Sequence, residues 1–173
     1  MAITFHPNGD ITGTGASNFG SSGQILQVKT DTRTGAAVDV THPNTEAISF
    51  GADLEVSITF HSTSNKFVVS CFIPDVYPMA SASRAMHGGF SYSTDNFSSD
   101  TVLGGASIIS DYVGWQGSAS AVNLNEATYT TSGNCPTTSA IKIRPHFTTV
   151  NGQIRMMANA VGIAHLTVME IKA

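Results

Sequence analysis

Leu54-Glu55-Val56-Ser57-Ile58-Thr59-Phe60 is the stretch whose reading decides the fold. Leu54, Val56, Ile58 and Phe60 fall on one side of an extended chain, and Glu55, Ser57 and Thr59 on the other. Successive side chains of a strand point to opposite faces, so this alternation predicts a half-buried strand. The pattern returns in Ile141–Phe147, where Ile141, Ile143, Pro145 and Phe147 alternate with Lys142, Arg144 and His146. Proline cannot donate to a ladder, which predicts an edge position or a bulge at Pro145. In the run from Lys66 to Pro74, Phe67, Val69, Cys71 and Ile73 face one way and Val68 and Phe72 the other. A strand apolar on both faces needs cover on both, either at the centre of a sandwich or at a subunit contact.

Working outward, further strands are expected over Gln24–Thr30, Gly89–Thr94, Gln153–Asn159 and Ile163–Ile171. Turn clusters such as FGAD, STSN, SGNCP and VNG separate them. Nothing shows a capped apolar stripe of helical period. Seven or more short strands with such turns predict an all-β fold, an antiparallel β-sandwich of jelly-roll-like form. Residues 98–125 read as long Gly- and Ser-rich loops with one or two short strands. Residues 1–22 read as a short extended arm, with Ile3, Thr4 and Phe5 as its apolar attachment segment and a Gly/Ser/Thr-rich tether behind it. Residues 23–173 form the head.

The 173 residues suit one domain. Charged residues make up only 12%, about half the usual share, and net charge is −4. Lys and Arg are scattered singly from Lys29 to Lys172, so there is no basic stripe for a phosphate backbone and nucleic acid is not an expected partner. No apolar run reaches the roughly 18 residues of a membrane span, and no membrane insertion is expected. The opening MAITFHPNGD has neither a charged n-region nor an apolar h-region, so synthesis in a cytoplasm is expected. That compartment favours free thiols at Cys71 and Cys135.

Patterns that suggest chemistry have simpler readings. Gly13-Thr14-Gly15 has no third glycine at dinucleotide-loop spacing and no helix after it. Ser139 and Lys142 have the spacing of a nucleophile pair, but on a strand positions three apart point to opposite faces. The six histidines form no metal-binding pattern, although a single His near a three-fold axis becomes three ligands, and His146 and His165 are the candidates. Asp95, Asp100 and Asp111 lie in or beside polar loops, where they are expected to cap turns. Asn96-Phe97-Ser98 fits a glycosylation acceptor, and with no secretory signal expected the match is expected to be accidental. The chain is therefore expected to be no enzyme, with no catalytic residue, metal or cofactor. Tyr77, Tyr92, Tyr112 and Trp115 are the candidate ligand or partner contacts, because loop aromatics stack on sugars or pack against partners.

Several segments in order carry a resemblance: GQILQVKTDT (23–32), LEVSITFHSTSNKFVVS (54–70), TTSAIKIRPHF (137–147), VNGQIRMMANA (150–160) and HLTVMEI (165–171). Together they resemble the tail-fibre-like virion structural proteins of marine and cyanobacterial tailed phages. Phe60-His61 stands where that family usually has Thr-Pro, which bears on the detail of one hairpin turn. The resemblance covers about residues 23 to 173. It implies a homotrimeric β-sandwich head on the outer surface of a virion, with no catalytic residues to carry over. Residues 3–13 also resemble the start of phage fibre proteins, where such segments attach to a capsid or tail protein. The expected role is capsid decoration (a cement protein) or a short accessory fibre. The alternative is a receptor-binding fibre tip recognising a host surface glycan.

Overall fold

The computed structural model describes residues 3–5, 11–13, 22–41, 48–49, 53–78, 84–103, 111–115, 124–149, 153–157 and 162–173. In chain order the strands are β1 (Ile3–Phe5), β2 (Ile11–Gly13), β3 (Ile25–Arg33), β4 (Val38–Thr41), β5 (Ile48–Ser49), β6 (Val56–Ile58) and β7 (Lys66–Pro78). After them come β8 (Arg84–Ser93), β9 (Thr101–Val102), β10 (Asp111–Trp115), β11 (Leu124–Asn134), β12 (Ile141–Thr149), β13 (Gln153–Met156) and β14 (Ala164–Ile171). Among the described residues all pairings are antiparallel, and they make two six-stranded sheets and one separate two-stranded ribbon. The chain is an all-β, two-sheet protein of sandwich, jelly-roll-like form.

In one sheet β8 and β12 pair side by side over Met86–Ser93 and Lys142–Thr149. β9 and β10 line the far edge of β8, and β6 and β5 the far edge of β12. In the other sheet β14 lies between β3 and β7, and β11 runs along the opposite edge of β7 from Leu124 to Asn134. β13 continues along β7 beyond β14 and carries β4 on its outer side.

The alternation read from the sequence places the core. Leu54, Val56, Ile58 and Phe60 are buried, as are Ile141, Ile143 and Phe147, and they face Phe67, Val69, Cys71, Ile73, Leu166 and Val168 from the other sheet. Phe60 and Phe67 meet across the layers with ring centroids 6.4 Å apart. Each large side chain buried here contributes roughly 1.5–3 kcal/mol. β7 is the central strand that its two-faced apolar pattern calls for, with Val68 and Phe72 half-buried on the outer face. Cys71 and Cys135 are both buried free thiols.

Two expectations are corrected. Pro145 is neither on an edge strand nor in a bulge, because β12 is internal. One flank of Pro145 faces the interval between the β6 pairing at Ile143 and the β5 pairing at His146, where the ladder is already interrupted. SGNCP is not all turn. Ser132, Gly133 and Asn134 stay paired with Val68, Phe67 and Lys66, and the chain turns only at Cys135. Asp111 opens β10, opposite Gly88, and its side chain lies outside the described residues.

β7 bends at Pro74-Asp75, where Asp75 takes a positive φ of 52°. Pairing with β14 stops at Phe72 and pairing with β13 starts at Tyr77. The Met157 amide spans the break by donating to the Pro74 carbonyl at 3.2 Å. Gly162 packs so closely there that a Cβ would lie 2.4 Å from Pro74 Cγ.

Candidate functional site: a buried carboxylate and the cleft beside it

On β14, alternation puts Leu166, Val168 and Glu170 on the same inward face, and Glu170 has no exposed surface. A buried carboxylate is costly unless it is fully hydrogen-bonded. Here four donors converge on it. Oε1 accepts from Asn65 Nδ2 at 2.6 Å and from the His61 amide at 2.9 Å. Oε2 accepts from Gln27 Nε2 at 2.6 Å and lies 2.8 Å from His61 Nδ1. Burial pushes this carboxyl upward, but the hydrogen bonds from Asn65, Gln27 and His61 outweigh it and bring its pKa down to about 2. Cys135 turns the chain nearby, its amide bonded to the Asn65 carbonyl at 2.9 Å. Burial, and then the Glu170 charge, push the Cys135 thiol up to about 11. Burial raises Cys71 further still, so neither thiol is a nucleophile at neutral pH.

Gln27, His61, Asn65 and Glu170 lie in the first, second and last of the segments that carry the resemblance. Those segments meet at one point, and what they build is a structural clasp between β3, the β6–β7 turn and β14. Sequence reasoning missed it, although the signal was present as a carboxylate at a core-facing parity.

The outer face of the first sheet holds a second polar cluster. Glu55 accepts from Lys142 Nζ at 2.8 Å and from Arg144 at 2.6 and 2.8 Å. Phe97 covers Arg144, with the guanidinium carbon 3.9 Å from the ring centre. Asn96 and Phe97 reach that position through positive φ values of 59° and 62°. Asp95 holds the turn. The Ser93 hydroxyl, then the Ser99 hydroxyl and amide, donate to its carboxylate and lower its pKa to about 2.

Under the same loop, Ser91 Oγ lies 2.5 Å from His146 Nε2, with Asp100 3.9 Å from that same nitrogen. A hydrolytic triad needs the acid on the other ring nitrogen and an accessible serine. Ser91 is fully buried, so this trio holds the loop down. His146 is thereby engaged inside its own subunit. His165 is exposed and stacks obliquely on Phe72, ring centroids 6.2 Å apart. Among the described residues no three His, Cys, Asp or Glu side chains group to hold a metal ion. No described helix is long and apolar enough to cross a membrane.

Of the aromatic candidates, Tyr92 is half-buried against the core on β8. The side chains of Tyr77, Tyr112 and Trp115 lie outside the described residues. Ile3, Thr4 and Phe5 form β1 and pair with Gly13, Thr12 and Ile11 of β2, so the first apolar segment is one half of a ribbon. Their side chains also lie outside the described residues. A cleft of about 580 Å³ opens beside the clasp, between β3, β6, the start of β12 and the loop after β8. Among its lining residues are Gln27, Lys29, Ser57, Thr59, Asn96 and Lys142.

No protein-family model matches the chain, and neither does any curated protein sequence. Among solved structures it is distantly similar to the Eiger TNF from S. frugiperda, at 10% identity over 84% of this chain and 91% of that one, with a TM-score of 0.36. It is similar to VP2 of infectious bursal disease virus in its subviral particle, at 11% identity, 87% and 39% coverage and a TM-score of 0.41. The CBM22-1 xylan-binding domain of Paenibacillus barcinonensis Xyn10C is similar at 9% identity, 88% and 98% coverage and a TM-score of 0.33.

Proposed function

We propose that this chain is a non-enzymatic structural component of a phage virion, a homotrimeric head held to the capsid or tail through residues 1–22. The observation that carries the self-association is the outer face of the β3-β14-β7-β11 sheet. Register sets Val28, Met169, Val68 and Ser132 in one row across it, and Thr30, Thr167, Ser70 and Thr130 in the next. Val28 is 49% exposed and Ile25, at the end of the same face, 54%. Between Lys66 at one end and His165 at the other, the described outward residues of these rows carry no charge. Copies of such a face can meet without desolvating ions, and closed symmetric assembly is the usual outcome of self-association.

Light scattering after size exclusion tests the assembly. Three copies of the 18.1 kDa chain give about 54 kDa. Val28→Glu should shift that mass downward, and a stable wild-type monomer would overturn the trimer. Attachment is tested separately, by deleting residues 1–22 and labelling purified virions with antibody to the head. Labelling that survives the deletion would remove the arm from the proposal.

A further inference from the structure

We infer that the cleft beside the clasp is a binding site for an acidic saccharide, an inference that stands apart from the assembly and attachment just described. Its volume, about 580 Å³, lies within the roughly 300–1,000 Å³ of small-molecule sites and has room for a short oligosaccharide. The chemistry follows from counting which hydrogen-bonding valences the fold has already used.

Both N–H groups of the Gln27 amide are taken, one by Glu170 at 2.6 Å and one by the Thr59 carbonyl at 2.8 Å. Since those partners accept only, the nitrogen's position is settled and the amide oxygen is left for a ligand donor. Lys142 gives two of its three N–H groups to Glu55 and Asn96, at 2.8 and 2.7 Å. One ammonium N–H remains there, and so does the Asn96 amide group, whose oxygen Lys142 occupies. Lys29 is exposed and has no ion-pair or hydrogen-bond partner among the described residues. The hydroxyls of Ser57, Thr59 and Thr94 complete the wall. Asp95 is the cleft's own carboxylate, and Ser93 and Ser99 already occupy it.

Apart from the hydroxyls, which both donate and accept, the unused valences are mostly donors. They include one unneutralised ammonium in a chain whose net charge is −4. Hydroxyls and amides spaced along a wall match sugar hydroxyls, which donate and accept at once. The donor surplus and the Lys29 charge call for an oxyanion on that sugar, as in a uronic acid. The clasp preorganises the site, because Glu170 fixes Gln27 in place before any ligand arrives.

The test is titration of the full-length protein with trigalacturonate and with neutral maltotriose, read by calorimetry and amide NMR shifts. Trigalacturonate should bind saturably and more weakly as salt rises, with shifts centred on Lys29, Thr59 and Asn96. Maltotriose should bind at least ten-fold more weakly. Lys29→Ala should weaken trigalacturonate at least ten-fold, and Ser57→Trp should abolish binding by filling the cleft. Both positions are exposed, and circular dichroism checks the fold of each variant. No binding at about 10 mM ligand would overturn the inference. So would equal binding of the neutral sugar, or binding that ignores both variants. None of these outcomes depends on how many copies assemble.

Discussion

Replacing Glu170 with glutamine should leave a variant whose stability deficit shrinks as the solution is acidified. In the unfolded chain this carboxyl titrates near 4.5, whereas in the fold it titrates near 2. A folded value below the unfolded one gives stability that is complete above pH 4.5 and is lost as pH falls toward 2. At about 1.4 kcal/mol for each tenfold change in proton affinity, the whole interval is worth about 3 kcal/mol at neutral pH. Integration to pH 3 removes about 2 kcal/mol of that. In Glu170→Gln one oxygen becomes an amide NH2 donor that faces the donor Gln27 Nε2, which the Thr59 carbonyl already holds in place. His61 can adapt by changing tautomer, but Gln27 cannot. The expected deficit at pH 7 is about 3 kcal/mol, the cost of breaking a buried charged network by removing one partner. Urea unfolding of both proteins at pH 7, 5 and 3, at fixed protein concentration and read by circular dichroism, gives the gap at each pH. It should narrow by about 2 kcal/mol between pH 7 and pH 3. A gap that stays constant would refute the assignment of Glu170 as an ionised, hydrogen-bonded carboxylate.

Gly162→Ala should destabilise by about 1–3 kcal/mol, because the added methyl collides with the Pro74 ring at the bend of β7; thermal unfolding measures it. In a Glu55/Arg144 double-mutant cycle the coupling should be about 1–2 kcal/mol, and Phe97→Ala should reduce it by uncovering the guanidinium. Cys71 and Cys135 should resist a thiol reagent at pH 8 in the native protein and react at once in urea, with absorbance reporting both rates. Rapid modification of either in native buffer would contradict their burial.

The faces of β6, β7, β12 and β14 were legible because each buries one side, and alternation records that directly. β11 was missed for the opposite reason. Thr128, Thr130 and Ser132 lie exposed along its outward face, so LNEATYTTSGN carries no apolar period to read. Its extended form is set by the run of β7 from Lys66 to Val76 beside it rather than by its own pattern. Among the described residues β5 is two residues long and pairs at His146 and Phe147, too little for any local signal. Pro145 misled because its tolerance depends on where neighbouring strands stop, which is a property of the sheet. The clasp was half legible. The alternation of Leu166, Val168 and Glu170 carries the inward parity of the carboxylate, unread at first, but only the fold shows that Gln27, 143 residues earlier, supplies the donor. The cleft was not legible at all, since its walls come from four separate segments.

The place of β14 between β3 and β7 also sets an order of events during synthesis. Every other strand of that sheet precedes it in the chain, so β3 and β7 have no shared neighbour until residues 164–171 have been made. The ribosome thus exposes two long strand edges and holds them waiting, β3 from Arg33 and β7 from Pro78, until Ala164 and the rest of β14 emerge. Contacts so distant in sequence form slowly, and waiting edges invite pairing with other nascent chains. A chain with only 12% charged residues has little repulsion to prevent that. Yield of folded protein should therefore depend on translation rate and temperature more than on the stability of the finished molecule.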